Sequence, residues 1–154
     1  GLLTQAVHLN GWAPDGRLWV ARRALSKSTD PGLWDPLSGG LVAAGEDPAS
    51  ALLRESHEEA GLVPAALASH SPVRTVLRMH RRLPDGYQVE TVLLSDCVLD
   101  AATAPANLDG EVLAFRCVDM AELWDMITRG AFTLEAELCI LDSLRRRLTA
   151  PPRP

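Results

Sequence analysis

Three carboxylates crowd one short stretch of this chain. In "RESHEEAG", residues 54–61, Glu55, Glu58 and Glu59 stand at i, i+3 and i+4. On a helix that spacing puts all three on one face, where like charges repel by roughly 0.2–0.5 kcal/mol per pair. A divalent cation reverses the sign of that interaction. Hard Mg²⁺ or Mn²⁺ prefers oxygen ligands, and Mg²⁺ keeps part of its water and shares substrate phosphates. The chemistry on offer is therefore reaction at a phosphate ester or anhydride. A solvated acidic helix face is the plain alternative for the string by itself.

The elements that must position these acids can be read along the chain. Asp47 is a good N-cap, Pro48 suits the first helical position and Gly61 suits the residue after the last turn, so residues 48–60 are predicted as a helix. Leu52, Ser56 and Ala60 would face one way and the glutamates another. Before it, "TQAVHLNGW" and "RLWVARRAL" read as strands joined by "PDG" at 14–16, and "LWDPLSGGLV" as extended chain interrupted by Pro36 and Gly39-Gly40. After it, "SPVRTVLRMHRRL" and "YQVETVLLSDCVL" form a second hairpin across "PDG" at 84–86, and "GEVLAFRCV" a further strand. Two helices close the chain: one capped by Asp119 and ended by Gly130, the other with Leu134, Leu138, Leu141, Leu144 and Leu148 as its apolar stripe. This order predicts an α+β fold, a mixed or antiparallel sheet between helices. Residues 1–150 are expected to form one domain and 151–154 a disordered tail.

Composition sets limits. A chain of 154 residues, 47% apolar and 23% charged, suits one globular domain, and a net charge of −5 argues against a general nucleic-acid surface. No apolar run reaches the ~18–20 residues of a membrane span, and the first ten residues lack signal-peptide character. Cys97, Cys117 and Cys139 make no zinc pattern and read as reduced thiols of a cytoplasmic protein.

The stretch "GLVAAGEDPASALLRESHEEAGL", residues 40–62, resembles the Nudix box at Gly40, Glu46, Arg54, Glu55, Glu58, Glu59, Gly61 and Leu62. Ser56 departs from it, since an aliphatic residue is usual there. The resemblance implies an α/β/α sandwich and a hydrolase of diphosphate linkages that uses Mg²⁺ or Mn²⁺. It further implies that Gly40, Glu55, Glu58 and Glu59 bind the metal, that Arg54 orients Glu55, and that Glu46 braces loop and helix. A later carboxylate often joins such sites. Asp109 and Glu111 are available, and Glu111 is favoured. Glu58 or Glu111 would take the proton of the attacking water.

The wider run "VHLNGW…DGRLWVARRALSKSTDPGLWDPLSGGLVAAGE" and the later "RGAFTLEAELCILDSL" are similar to the Nudix domain associated with thiamine pyrophosphokinase. That group commonly carries a preceding domain, so the chain is expected to be the C-terminal part of a longer protein. The implied substrate is a small diphosphate of thiamine type, oxidised or damaged. Arg22, Arg23 and Lys27 are candidates for its phosphates, though Arg22 and Arg23 point to opposite faces if both lie on a strand. Trp34 is the favoured aromatic partner for its rings, with Trp12, Trp19 and Tyr87 also available. Arg78, His80 and Arg82 alternate as a basic stripe, and His57 points away from the acids. ADP-ribose or another nucleoside diphosphate derivative is the main alternative substrate. Isopentenyl diphosphate isomerases share the run resembled by "RRALSKSTDPGLW", but they use a Cys near the metal loop, where this chain has Gly39 and Gly40. A non-catalytic Nudix module usually lacks box acids that are intact here. Such domains often pair, and the Leu-rich last helix is available either as core or as a homodimer interface.

Overall fold

Strand β1 (Leu2–Trp12) is the axis of assembly. The structure, a computed structural model, describes residues 1–151, so the tail expected over 151–154 falls outside the described residues beyond Pro151. β1 alternates: Val7 and Leu9 enter one apolar cluster with Leu37, Leu52, Ala60 and Leu62, while His8 and Asn10 turn to the opposite face. Along one edge β1 pairs in parallel with β6 (Gly86–Val98), from Leu2 opposite Gln88 to Trp12 opposite Val98. β6 in turn pairs antiparallel with the edge strand β5 (Arg74–Leu83).

Along its other edge β1 changes partner. Ala6–Leu9 pair with β4 (Ser38–Leu41), whereas Gly11 and Trp12 pair with β2 (Leu18–Arg23). β2 then continues between β3 (Trp34–Pro36) and β7 (Val112–Val118). The mixed sheet therefore forks between β4 and β2, and the acidic residues gather at that fork. Both "PDG" turns occur as predicted. Gly16 adopts φ 91° in the first, and Leu83 sits opposite Gly86 in the second.

Helix α1 (Pro48–Ala60) covers β4 and the middle of β1. Its ends follow the sequence. Asp47 accepts from the Ser50 amide at 3.1 Å, and Gly61 takes φ 64° while its N–H donates to the His57 carbonyl at 2.9 Å. Ala51, Leu52, Ser56 and Ala60 form the buried face. Ser56 is buried without loss because its hydroxyl lies 2.8 Å from that of Ser38 on β4. A 3₁₀ turn over Pro64–Leu67, which the sequence reading left out, carries Leu67 into the same core.

Helices α2 (Met120–Thr128) and α3 (Leu134–Thr149) cover the other face, over Trp12, Leu18, Val20, Val118 and Phe132. The leucine stripe expected on α3 is corrected. Its buried face is Ala136, Cys139, Ile140, Ser143 and Leu144, while Leu134 is 56% and Leu148 87% exposed. Polar ties set this rotation. The Asn10 side-chain amide donates to the Cys139 carbonyl at 3.2 Å and to Ser143 Oγ at 2.9 Å, and Arg74 pairs with Asp142 at 2.9 Å. Small and polar residues thus win the interface that counting leucines assigned elsewhere.

The Ser38–Ser56 pair yields a prediction. Ser56→Ala leaves the Ser38 hydroxyl buried without its partner, at a cost of about 1–3 kcal/mol. Denaturant unfolding should show that loss, and Ser38→Ala combined with Ser56→Ala should recover part of it.

Candidate active site

The site begins with two glycines on β4. A Cβ on Gly40 would lie 2.3 Å from Glu55 Cδ and 2.4 Å from its Oε1, so the Glu55 carboxylate occupies the space of the missing side chain. The Gly39 amide donates to Glu59 Oε2 at 3.0 Å. Successive strand residues therefore hold two carboxylates four residues apart on α1.

Arg54 fixes the rest of that turn. Its Nε donates to Glu46 Oε1 at 2.9 Å, Nη1 to Glu55 Oε1 at 2.7 Å and Nη2 to the Leu41 carbonyl at 3.1 Å. Glu46 also accepts from the Ala43 amide at 3.0 Å, which closes the loop between β4 and α1. Glu58 lies outward, its Oε2 3.5 Å from Arg54 Nη1. His57 lies exposed on α1.

A second loop supplies more oxygen. Gly110 adopts φ 78°, its amide donates to Asn107 Oδ1 at 3.0 Å, and the Glu111 amide donates to Asp109 Oδ1 at 2.9 Å. The Glu111 carbonyl accepts from the Ala24 amide at 3.0 Å, which pins the loop to the end of β2. Carboxylate oxygens of Glu59, Asp109 and Glu111 thereby lie within 4.8 Å of one another. Lys27 Nζ stands 2.5 Å from Glu111 Oε2. The sequence favours Glu111 over Asp109, and the tight Asp-Gly-Glu turn brings both in.

Electrostatics mark the cluster as short of positive charge. Burial pushes the Glu59 carboxyl up to about 8, with the charges of Glu55 and Asp109 adding to it against the Gly39 amide and Lys27. Burial also raises Glu55, opposed by Arg54. Glu46 is lowered, chiefly by its hydrogen bonds from Arg54. The donors are all hard oxygens, clustered and partly desolvated, and Lys27 already places an ammonium on one of them. These features fit a divalent cation of the Mg²⁺ or Mn²⁺ type.

The remaining candidates are placed as follows. Arg22 Nε donates to the Gly32 carbonyl at 2.9 Å, while Arg23 binds the Thr29 carbonyl and pairs with Asp35 at 2.8 Å. Both guanidinium groups thus brace residues 29–35. Trp34 packs against the α2–α3 core with the Arg116 guanidinium 5.7 Å from its ring centroid. Trp12 is buried under Arg147, Trp19 packs on the α1 side, and Tyr87 is exposed beside His80. Arg78, His80 and Arg82 are exposed on one face of β5. A broad groove of about 630 Å³ runs along the β4–α1 loop past Arg78, but Glu55, Glu58 and Glu59 do not line it. The carboxylates, not this groove, therefore define the site.

Known proteins resemble this chain over most of its length. The family model described as NUDIX domain matches residues 5–136. Nudix hydrolase 24, chloroplastic, of Arabidopsis thaliana is 32% identical over 161 residues, which span 100% of this chain and 43% of that protein. The chain thus spans less than half the length of that relative. An isopentenyl-diphosphate Delta-isomerase of Streptomyces griseus subsp. griseus is 34% identical over 98% of this chain and 76% of its own. Among solved structures, the NUDIX domain of Shewanella oneidensis NrtR, complexed with ADP ribose, superposes with a TM-score of 0.63 at 19% identity, covering 96% of this chain and 88% of that one. Among the described residues no helix is long and apolar enough to cross a membrane.

Two predictions come from this geometry. Gly40→Ala should displace Glu55 and weaken Mn²⁺ binding roughly 10- to 100-fold in calorimetric titration, with the melting transition retained. Glu59 in the folded, metal-free protein titrates near 8 against an ordinary value of 4.5, so the folded state holds a proton that the unfolded chain has lost. The stability Glu59 contributes is therefore complete below about pH 4.5 and is lost as pH rises through about 8. Melting curves should follow that trend without metal, Glu59→Gln should flatten it, and added Mg²⁺ should oppose it.

Proposed function

The chain belongs to the NUDIX domain family, and from that premise we propose that it hydrolyses the phosphoanhydride of a small organic diphosphate in the presence of Mg²⁺ or Mn²⁺. The observation that carries this reading is the meeting of Glu59, Asp109 and Glu111 within 4.8 Å, beside Glu55 in its glycine cradle. Glu55, Glu59, Asp109 and Glu111 would hold the cation, with Glu58 and Gly40 at its margin. Bound there, the ion would neutralise charge on the diphosphate and acidify a water molecule.

The chain's own residues do the rest. Arg54 aims Glu55 and opposes the burial that raises its proton affinity, and the Gly39 amide orients Glu59 and partly offsets its burial. Glu58 or Glu111 takes the proton of the attacking water. Lys27 is paired with Glu111, and with a cation on that carboxylate its ammonium would be available to a phosphate oxygen. Arg22 and Arg23 act by shaping the 29–35 loop, which carries the chain from Lys27 to Trp34. A thiamine-diphosphate-like compound, oxidised or damaged, is the substrate the sequence resemblance favours. ADP-ribose is the second candidate, since the NrtR domain that shares this fold binds it.

The Streptomyces relative supports a second reading, isomerisation of an isoprenoid diphosphate. Against it, residues 38–40 are Ser-Gly-Gly, and the buried Cys139 thiol is pushed up to about 12 by desolvation. Phosphate release separates the two readings, because isomerisation liberates none. A panel of oxidised thiamine diphosphates, thiamine diphosphate, ADP-ribose and isopentenyl diphosphate with Mg²⁺ or Mn²⁺ is the test. Metal-dependent phosphate or monophosphate release is expected, with Glu59→Gln lowering kcat about 100-fold or more. Absence of release with every substrate, or full turnover by Glu59→Gln, would refute hydrolysis at this site.

A further inference from the structure

The turn that carries Asp109 and Glu111 is anchored at both ends. At its entry the Ala106 amide donates to the carbonyl of Ala60, the last residue of α1, at 2.8 Å. A Cβ on Gly61 would lie 2.9 Å from the Ala106 carbonyl oxygen, so the chain runs hard against the end of that helix. At its exit the Glu111 carbonyl accepts from Ala24, and Val112 begins β7. Between the anchors the backbone offers nothing of its own. Among the described residues, no backbone–backbone hydrogen bond joins any two of residues 107–111. Leu108 is 59% exposed, and Gly110 at φ 78° brings the conformational freedom of glycine. Ordering such a segment costs entropy that side chains must offset.

Asn107 is the side chain that closes it. Its Oδ1 accepts from the Gly110 amide at 3.0 Å, and its Nδ2 donates to the Val112 carbonyl at 2.8 Å. One planar amide thus ties the middle of the turn to the first residue of β7, and the two acids flank Gly110. The other bond inside the turn, from the Glu111 amide to Asp109 Oδ1, uses a carboxylate for which a cation would compete. Asn107 is neutral and adds nothing to the repulsion among Glu59, Asp109 and Glu111, which tends to drive the turn outward.

We propose that Asn107 is a positioning residue of the metal site, holding Asp109 and Glu111 beside Glu59 before a divalent ion arrives. The inference rests on the metal-dependent reading above and adds to it a residue outside the carboxylates. With the turn already closed, ion binding does not have to order it.

The test compares Asn107→Ala, Asn107→Ser and Leu108→Ala with the unaltered chain by Mn²⁺ titration, the free ion being read by electron paramagnetic resonance. Asn107→Ala should bind Mn²⁺ roughly 10- to 100-fold more weakly. Asn107→Ser should recover part of the loss, since a hydroxyl closes such turns more weakly than an amide. Leu108→Ala, in the same turn, should bind as the unaltered chain does. Metal-free melting curves of all three should stay close to that of the unaltered chain, which a general structural defect would not allow. Equal Mn²⁺ affinity in Asn107→Ala, an equal loss in Leu108→Ala, or a loss matched by a collapse of the metal-free melting transition would overturn the proposal. If the unaltered chain binds Mn²⁺ yet hydrolyses no diphosphate, the catalytic reading fails and the titration still decides the role of Asn107. If it binds no Mn²⁺, both fall.

Discussion

Carboxylates gathered in a partly desolvated space repel one another unless a cation answers them, and this constraint governs the fork of the sheet. Arg54 answers Glu46 and Glu55, and Lys27 answers Glu111. Glu59 receives the Gly39 amide, and its proton affinity is raised chiefly by burial, with the charges of Glu55 and Asp109 adding to it. A fold that packs Ser56 inward and turns this acid toward Asp109 accepts that penalty in the free protein. A divalent ion held there would remove it, so binding of the ion and relief of that penalty would be one event.

Backbone does much of the positioning. Gly40 gives its side-chain volume to Glu55, and Gly39 gives its own to His8. The two residues thus serve opposite faces of β4, acids toward α1 and imidazole toward α3. Partner exchange along β1 opens the sheet at this point, and the Asp-Gly-Glu turn enters from β7. The core beyond is ordinary apolar packing on two faces, tied together across α3 by Asn10, Asp96, Arg74 and Asp142.

Much of this was legible in the sequence, for identifiable reasons. α1 could be read end to end because Asp47, Pro48 and Gly61 act locally, within one turn of the chain. The acids of α1 could be read because their spacing is itself the signal. The face of α3 was misread because its leucines outnumber the small residues that Asn10 and Arg74 select, and both selectors lie far off in sequence. The meeting of Glu59 with Asp109, and of His8 with Gly39, depends on strand register and loop closure, which local patterning does not encode.

The central claim is that Glu59 and the 109–111 turn share one divalent ion. Crystals soaked in Mn²⁺ and measured at the manganese absorption edge test it most directly. The account predicts an anomalous peak touching Glu59 and Asp109 or Glu111, with Lys27 withdrawn from Glu111. A peak elsewhere with these carboxylates unliganded, or none at saturating Mn²⁺, would contradict it.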